Sequence, residues 1–473
     1  MTRQHRSLPR LSPIALTLCL AATLATTLAS AQAASLTTPT VATDSLPAVA
    51  AGGGVGTNVD AVTSITQVLA TNGTQTALVG GTQNVRVLGE LVTHATLRGS
   101  LTQTQTAAGA GVLQTINVAG GSGVLGARRV ETNGSLRTSV TQQQDGRIGA
   151  GSDGGQTVAV GSAHNVQGGE VTTRGDLGGT PAGVVQSRSH TLAQTIAVGS
   201  VADSTLQNGS TDGQLQSAVS QTQQSSLGGG AEQSIAVAQI RDTTATTVNA
   251  SGRVFSTADR ASGLVQAQTG VANVLQTVDV GSVSDVAAGN TLITSGEFSG
   301  TLTQQANGRR SGSGSQQVAL ASISGGNLQR GKAQGGVFGG ITQTQTDLAE
   351  QRVSVGSILN SAGTVTTNGQ VSGQITQTAT PSASGSGRHQ QLVSVAEVIG
   401  SGGNVFTSAA VHGNLSQATG TAVAAVQRIE IGTVRNAGTA RVIANISVEG
   451  DIAQTAERGA NGQQNVLIGN VGR

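Results

Sequence analysis

This sequence predicts an all-β fold: a β-solenoid, parallel β-helix-like, of about eleven coils of roughly 38 residues each. Three observations carry the expectation. The first is composition: 473 residues include 69 glycines and 4 phenylalanines, with no tryptophan or tyrosine and only 10% charged residues. An aromatic share of 1% removes the side chains that usually dominate a compact core. The abundance of Val, Thr, Gln, Ser and Gly favours strands and turns. The second is a degenerate internal repeat of two alternating elements. The third is a period-two pattern within both, which places glutamine on the same face as the aliphatic residues.

Element A is apolar-x-Gln, often within a Thr-Gln-Thr-Gln string. The series opens at Ile65/Gln67 and includes Val184/Gln186, the copy with the loosest register. Its glutamines at Gln103, Gln142, Gln221, Gln266, Gln304, Gln343, Gln377, Gln417 and Gln454 are expected to form one inward ladder. Element B is Gln-x-apolar-x-apolar, usually followed by Gly-Ser. Its series opens at Gln83, and the expected second ladder is Gln114, Gln156, Gln194, Gln233, Gln276, Gln316, Gln351, Gln391, Gln427 and Gln464.

Alternation assigns the faces. Along Val337–Gln345 the odd-numbered residues Val337, Gly339, Ile341, Gln343 and Gln345 share a side, leaving Phe338, Gly340, Thr342 and Thr344 on the other. In element B, Gln351, Val353 and Val355 face one way, with Arg352 and Ser354 opposed. A third extended stretch such as Gly363–Thr367 follows B. The Asn-Gly pairs at Asn72, Asn133, Asn208, Asn307, Asn368 and Asn461 read as turns. The A-to-B links vary in length and are rich in Gly, Ser and charge, as exposed loops are. One unit cannot bury its apolar face alone, so the units must stack, and eleven coils give a rod of roughly 50 Å. An antiparallel multi-sheet arrangement of the same strands is the alternative.

The N-terminus reads as an address. Arg3, Arg6 and Arg10 precede an apolar or small run from Ile14 to Leu28, with a small-residue cleavage site at Ala31 or Ala33. Residues 1–31 are therefore expected to be a signal peptide, residues 32–60 a flexible Gly/Ala-rich segment and residues 61–473 the repeat domain. Cys19 falls inside the signal, so no disulfide or thiol chemistry is expected beyond it. Removing the signal takes three of 25 basic residues and none of 23 acidic ones, a balance of −1, which argues against a nucleic-acid surface. No later apolar run is long enough for a membrane helix.

Chemistry-bearing motifs are sparse, and no catalytic residue, metal or cofactor is expected. Gly326–Lys332 imitates a phosphate loop, but Ala333 stands where a Ser or Thr should meet magnesium. His94, His164, His190, His389 and His412 form no ligand pair. Asp145, Asp153, Asp176 and Asp212 lie in separate stretches, which disfavours a polysaccharide-cleaving β-helix enzyme.

The Gln-bearing strand–turn–strand units, with alternating aliphatics and Gly/Asn turns across residues 61 to 473, resemble curlin, the subunit of the bacterial curli fibre. The likeness is architectural: curlin repeats are shorter, near twenty residues, and keep a Ser and Asn framework absent here. The resemblance implies a secreted, non-catalytic, self-assembling subunit, functional-amyloid-like, at the cell surface or outside the cell. Its partners would be further copies of itself, head to tail, with outer-membrane secretion or anchoring proteins and extracellular polysaccharide as additional candidates. A looser resemblance is to surface anchors of adhesive polysaccharide, which implies a monomeric adhesin instead. With Gln464–Ile468 close to the last residue and a Gly/Ala stretch at Ala50–Gly56, neither end of the stack is expected to be capped.

Overall fold

Four strands in the chain order D, A, B, C make one coil. In the coil from residue 330 these are Arg330–Val337, Gly340–Thr346, Glu350–Val355 and Ile358–Leu359. The computed structural model describes residues 35–37, 49–51 and 53–472. Within that span it omits 52, 71–72, 107–111, 146–153, 179–182, 189–192, 225–229, 256–262, 272, 288, 309–313, 326–327, 347–349, 361–362, 381–387, 421–423, 439–440 and 458–460. The expected signal peptide lies outside the described residues, as do most of the A-to-B links.

Equivalent strands stack in parallel, which overturns the antiparallel alternative. The B strands form one eleven-stranded sheet, and the A, C and D strands form a second of 31 strands. Nine of the eleven coils have a complete coil on either side. Register follows the glutamines: Gln304 faces Gln343 and Gln343 faces Gln377 on A, while Gln316 faces Gln351 and Gln351 faces Gln391 on B. Because the side-chain period is two, slipping one strand by a residue would turn a buried Gln and Ile to water together.

The apolar interior is in two columns. Between the A and B sheets, Leu101, Ile116, Val118, Leu136, Val140 and their counterparts continue to Ile431. Between C and D, a second column runs from Val85 and Leu91 through Ile240, Leu292 and Ile358 to Val434. The expected faces hold: Val337, Ile341, Gln343 and Gln345 are buried, and Phe338 is 42% exposed. Ser354 departs from expectation. It lies on the outer side of its B strand but is buried, because the C strand folds back over that end and Ser322 reaches Ser354 Oγ at 3.1 Å.

The sharp corner is at the end of B. Ala119, Gly161, Ala238, Gly356 and Ala396, each directly after a B strand, hold φ between 53° and 59°. The left-handed conformation turns the chain by one residue, and glycine or a small alanine carries it at least cost. The Asn-Gly pairs are not the turns: Asn133-Gly134, Asn208-Gly209 and Asn368-Gly369 lie inside strands. For Gly134 and Gly369 the reason is close approach. A Cβ on Gly134 would sit 2.4 Å from Gly161 N and 2.5 Å from Val118 O, so the D strand runs against the B-to-C corners of two coils. Asn72 lies outside the described residues.

Two boundaries also differ from the sequence reading. Regular structure begins before residue 61, since Val55–Val62 is the first D strand and pairs with Leu91–Arg98. Ser35–Thr37 and Val49–Ala51 pair in parallel with the first coil's A and C strands. Gln83 is not a ladder residue; it lies in a C strand opposite Ser122, and Gln75 occupies the first B rung opposite Gln114.

Candidate functional site

The most ordered chemistry in the molecule is the pair of glutamine ladders. Each is held by the strand pairing described above, which sets equivalent Cα atoms about 4.8 Å apart and so brings each amide within reach of the next. On A, the chain of Nε2-to-Oε1 bonds runs from Gln103 donating to Gln67 at 2.7 Å to Gln454 donating to Gln417 at 2.8 Å. On B it runs from Gln114 donating to Gln75 at 2.8 Å to Gln464 donating to Gln427 at 2.7 Å. All nineteen expected ladder glutamines are in place. The sequence reading counted Gln67 and Gln186 in the A series but not in the expected ladder, and it missed Gln75; Gln186 bridges Gln142 and Gln221 at 2.7 and 2.8 Å.

Each amide also ties the two sheets together. Gln343 Nε2 donates to Gln304 Oε1 at 2.7 Å and to the carbonyls of Gln316 and Arg352 on B strands at 3.1 and 3.2 Å. Gln351 Nε2 donates to Gln316 Oε1 at 2.9 Å and to Thr378 O, on the next A strand, at 3.1 Å. Buried amides are tolerable only when so satisfied, because each orphaned group costs about 1–3 kcal/mol whereas a formed bond nets about 0.5–1.5. The ladders therefore act mainly as a register device, with aliphatic burial supplying most of the stabilisation.

Two smaller ladders brace the corners. Ser162 Oγ donates to Ala197 O at 3.0 Å and accepts Ser200 N–H at 3.1 Å, a pattern repeated from Ser200 to Ala236 O and Gln239 N. On the D strand, Thr132 and Thr173 donate to the carbonyls of the left-handed residues Gly161 and Gly199 at 2.7 and 2.6 Å. The Gly-Ser after element B is the signal that reveals the serines.

Charges breach the pattern at three places. Arg188 occupies the ladder-side column between Gln144 and Gln223, is 4% exposed, and none of its guanidinium nitrogens has a hydrogen-bond partner among the described residues. Burial pushes its pKa down to about 9. Asp279, beside Gln239 and Arg241, is pushed up to about 7 by burial, which outweighs those two neighbours. Where the ninth and tenth coils meet, Glu397 and Glu430, both fully buried, face Arg435, which donates to Glu397 and to Glu430 Oε2 at 2.9 Å. Burial and the adjacent Glu397 push Glu430 up to about 8. Glu397 is held below its usual value: burial opposes this, but hydrogen bonding with Glu430 and Arg435 prevails.

The remaining candidates are dispersed. His94, His164 and His412 each face a single carboxylate, Glu131, Asp203 and Glu449, at 3.6, 3.1 and 3.2 Å. His389 is buried at the start of a B strand, and His190 lies outside the described residues. Asp176 and Asp212 pair with Arg137 and Arg174, each at 3.3 Å; Asp145 is exposed, and Asp153 lies outside the described residues. Arg330, Gly331 and Lys332 of the phosphate-loop imitation belong to a D strand. Among the described residues no three His, Cys, Asp or Glu side chains gather as a metal site. Comparison with protein families, with curated proteins and with solved structures finds no match for this chain.

Proposed function

We propose that the chain is a secreted, non-catalytic structural protein whose copies join head to tail into a surface fibre or matrix for adhesion and biofilm. The single observation behind this reading is that both glutamine ladders run in unbroken parallel register through all the described coils, each rung pairing with an identical one. An open parallel edge presents backbone and amide groups ready for another chain, the physics of a cross-β joint. No residue acts on a substrate; backbone and glutamine pairing is the mechanism. Secretion or anchoring proteins of the outer membrane and extracellular polysaccharide complete the proposed surroundings.

A second reading rests on the outer face of A, where Thr342 faces Thr376 and Thr344 faces Thr378 on adjacent coils. Such hydroxyl columns suit a monomeric rod that anchors polysaccharide. Electron microscopy and fibre diffraction of the purified chain separate the two. Thioflavin-positive filaments with a meridional reflection near 4.8 Å support the fibre subunit. A discrete particle of one chain by light scattering removes that reading and leaves the anchor.

A further inference from the structure

The outer faces of the rod differ in charge. On the D strands, outward side chains pair between adjacent coils, as Arg137 does with Asp176 and Arg174 with Asp212. The outer side of B carries Glu232, Asp279, Arg352 and Arg428. The outer side of A carries almost no charge. Its two central columns run in register from Thr66 and Val68 in the first coil to Ala453 and Thr455 in the last. Eleven coils with two positions each give 22 residues, of which 14 are Thr or Ser, 6 are Ala or Val, 2 are Gln and none is charged. Among the described positions flanking these columns, only Asp145, Asp451 and Glu457 bear a charge.

A sheet face that meets water ordinarily takes its share of Lys, Arg, Glu and Asp. Depletion of those residues marks the centre of a protein interface. The face is also partly apolar, with Val68 58% and Val185 41% exposed. Without charges to desolvate, covering it costs only the hydration of hydroxyls and a few amides, which new hydrogen bonds can replace.

The spacing and size of the strip identify its occupant. Columns repeat about every 4.8 Å along the rod, a period that a second stacked sheet of the same kind matches over its whole length. Each Thr or Ser hydroxyl both donates and accepts, so the same face on another copy answers it in kind. Eleven coils and a width of four residues make a strip of roughly 50 Å by 14 Å, about 700 Å². That is close to the roughly 800 Å² per partner of a stable specific interface. No aromatic side chain stands in either column, which leaves a sugar ring nothing to stack on.

We propose that two copies of this chain lie side by side through the outer faces of their A strands, the same strip on each, as a dry Thr-rich zipper between paired sheets. The inference goes beyond end-to-end joining and does not depend on it. One contact sets the thickness of the particle and the other its length.

Mass per unit length of the purified full chain, by scanning transmission electron microscopy, tests the pairing. The wild type is expected to show two chains in cross-section. Thr303→Glu with Thr376→Glu puts two carboxylates into the strip two coils apart, so that they do not face each other directly. This variant should halve the mass per length, with circular dichroism confirming equal β-content. Thr366→Glu, on the exposed side of a D strand, should leave it unchanged. Thr303→Lys with Thr376→Lys should also give single rods, and serves alone if the Glu variant loses β-content. An equimolar mixture of the Glu and Lys variants should restore two chains. A wild type with one chain in cross-section, or a strip that stays paired with either double charge, overturns the proposal. Single wild-type rods that sediment with insoluble cellulose, and lose it in the Glu variant, overturn it in favour of a polysaccharide platform. Particle length reports separately on the ends: pairs one rod long keep the side-by-side contact and remove the fibre.

Discussion

Replacing Gln343 by leucine tests what an interior rung contributes. The substitution keeps the side chain's volume roughly constant while deleting both polar ends. Gln304 Oε1 then loses the donor at 2.7 Å, and Gln377 Nε2 loses the acceptor at 2.8 Å while keeping Leu392 O at 3.2 Å. Both orphaned groups are fully buried. At about 1–3 kcal/mol each, less roughly 1 kcal/mol for the added apolar burial, Gln343→Leu should destabilise its coil by about 1–5 kcal/mol. Gln454→Leu breaks the same kind of bond at a half-buried position where water can replace it, and should cost below about 1 kcal/mol. Urea unfolding gives the comparison, with amide hydrogen exchange to localise the loss, because stacked repeats need not unfold as one unit. Equal effects at the two positions, or a stabilised Gln343→Leu, would refute the ladder argument.

Other perturbations probe independent parts of the account. Arg188→Gln restores the residue type of its neighbours Gln144 and Gln223 and removes a buried charge that has no partner among the described residues. Its thermal midpoint should rise, by the equivalent of about 1–3 kcal/mol, and a fall would contradict the reading. Gly252→Ala places a Cβ 2.4 Å from Gly281 N and 2.5 Å from Val237 O, both backbone, and should cost about 1–3 kcal/mol by denaturant titration. Indifference there would mean the D strand does not press on the corner. Glu430 holds its proton up to about pH 8 in the folded chain but releases it near the ordinary carboxyl value of 4.5 when unfolded. Its contribution is therefore fully present at low pH and is lost as pH rises through that window, and Asp279 acts in the same sense up to about 7. Glu430→Gln should flatten the decline in thermal midpoint between pH 5 and 8, and an unchanged slope would argue against a buried protonated Glu430.

The stacked fold was legible because Gln343 and Gln351 recur on the aliphatic face at a near-constant interval, and burial follows that face closely. What escaped reading was chemistry shared between coils. Ser162 and Ser200 follow a Gly at the end of B and look like loop residues, yet they are buried and bonded to the adjacent coil. Asn133-Gly134 looks like a turn, but the need is for backbone to pass backbone without a Cβ. Gln75 and Gln83 both begin a Gln-x-apolar-x-apolar string eight residues apart. Only the interval to Gln114 and the corner glycine Gly80 after Val79 distinguish the rung from its decoy. Glu397 lies in a B-to-C corner and Glu430 in the next coil's B strand, and no linear spacing announces that they meet.

Hydrogen exchange of the glutamine side-chain amides, followed by NMR in the full chain, addresses the stacked column itself. Gln343, Gln351 and their ladder neighbours should exchange on the order of a thousandfold more slowly than the exposed Gln305 and Gln334. Uniformly fast exchange across both groups would place the ladder amides in water and contradict the account.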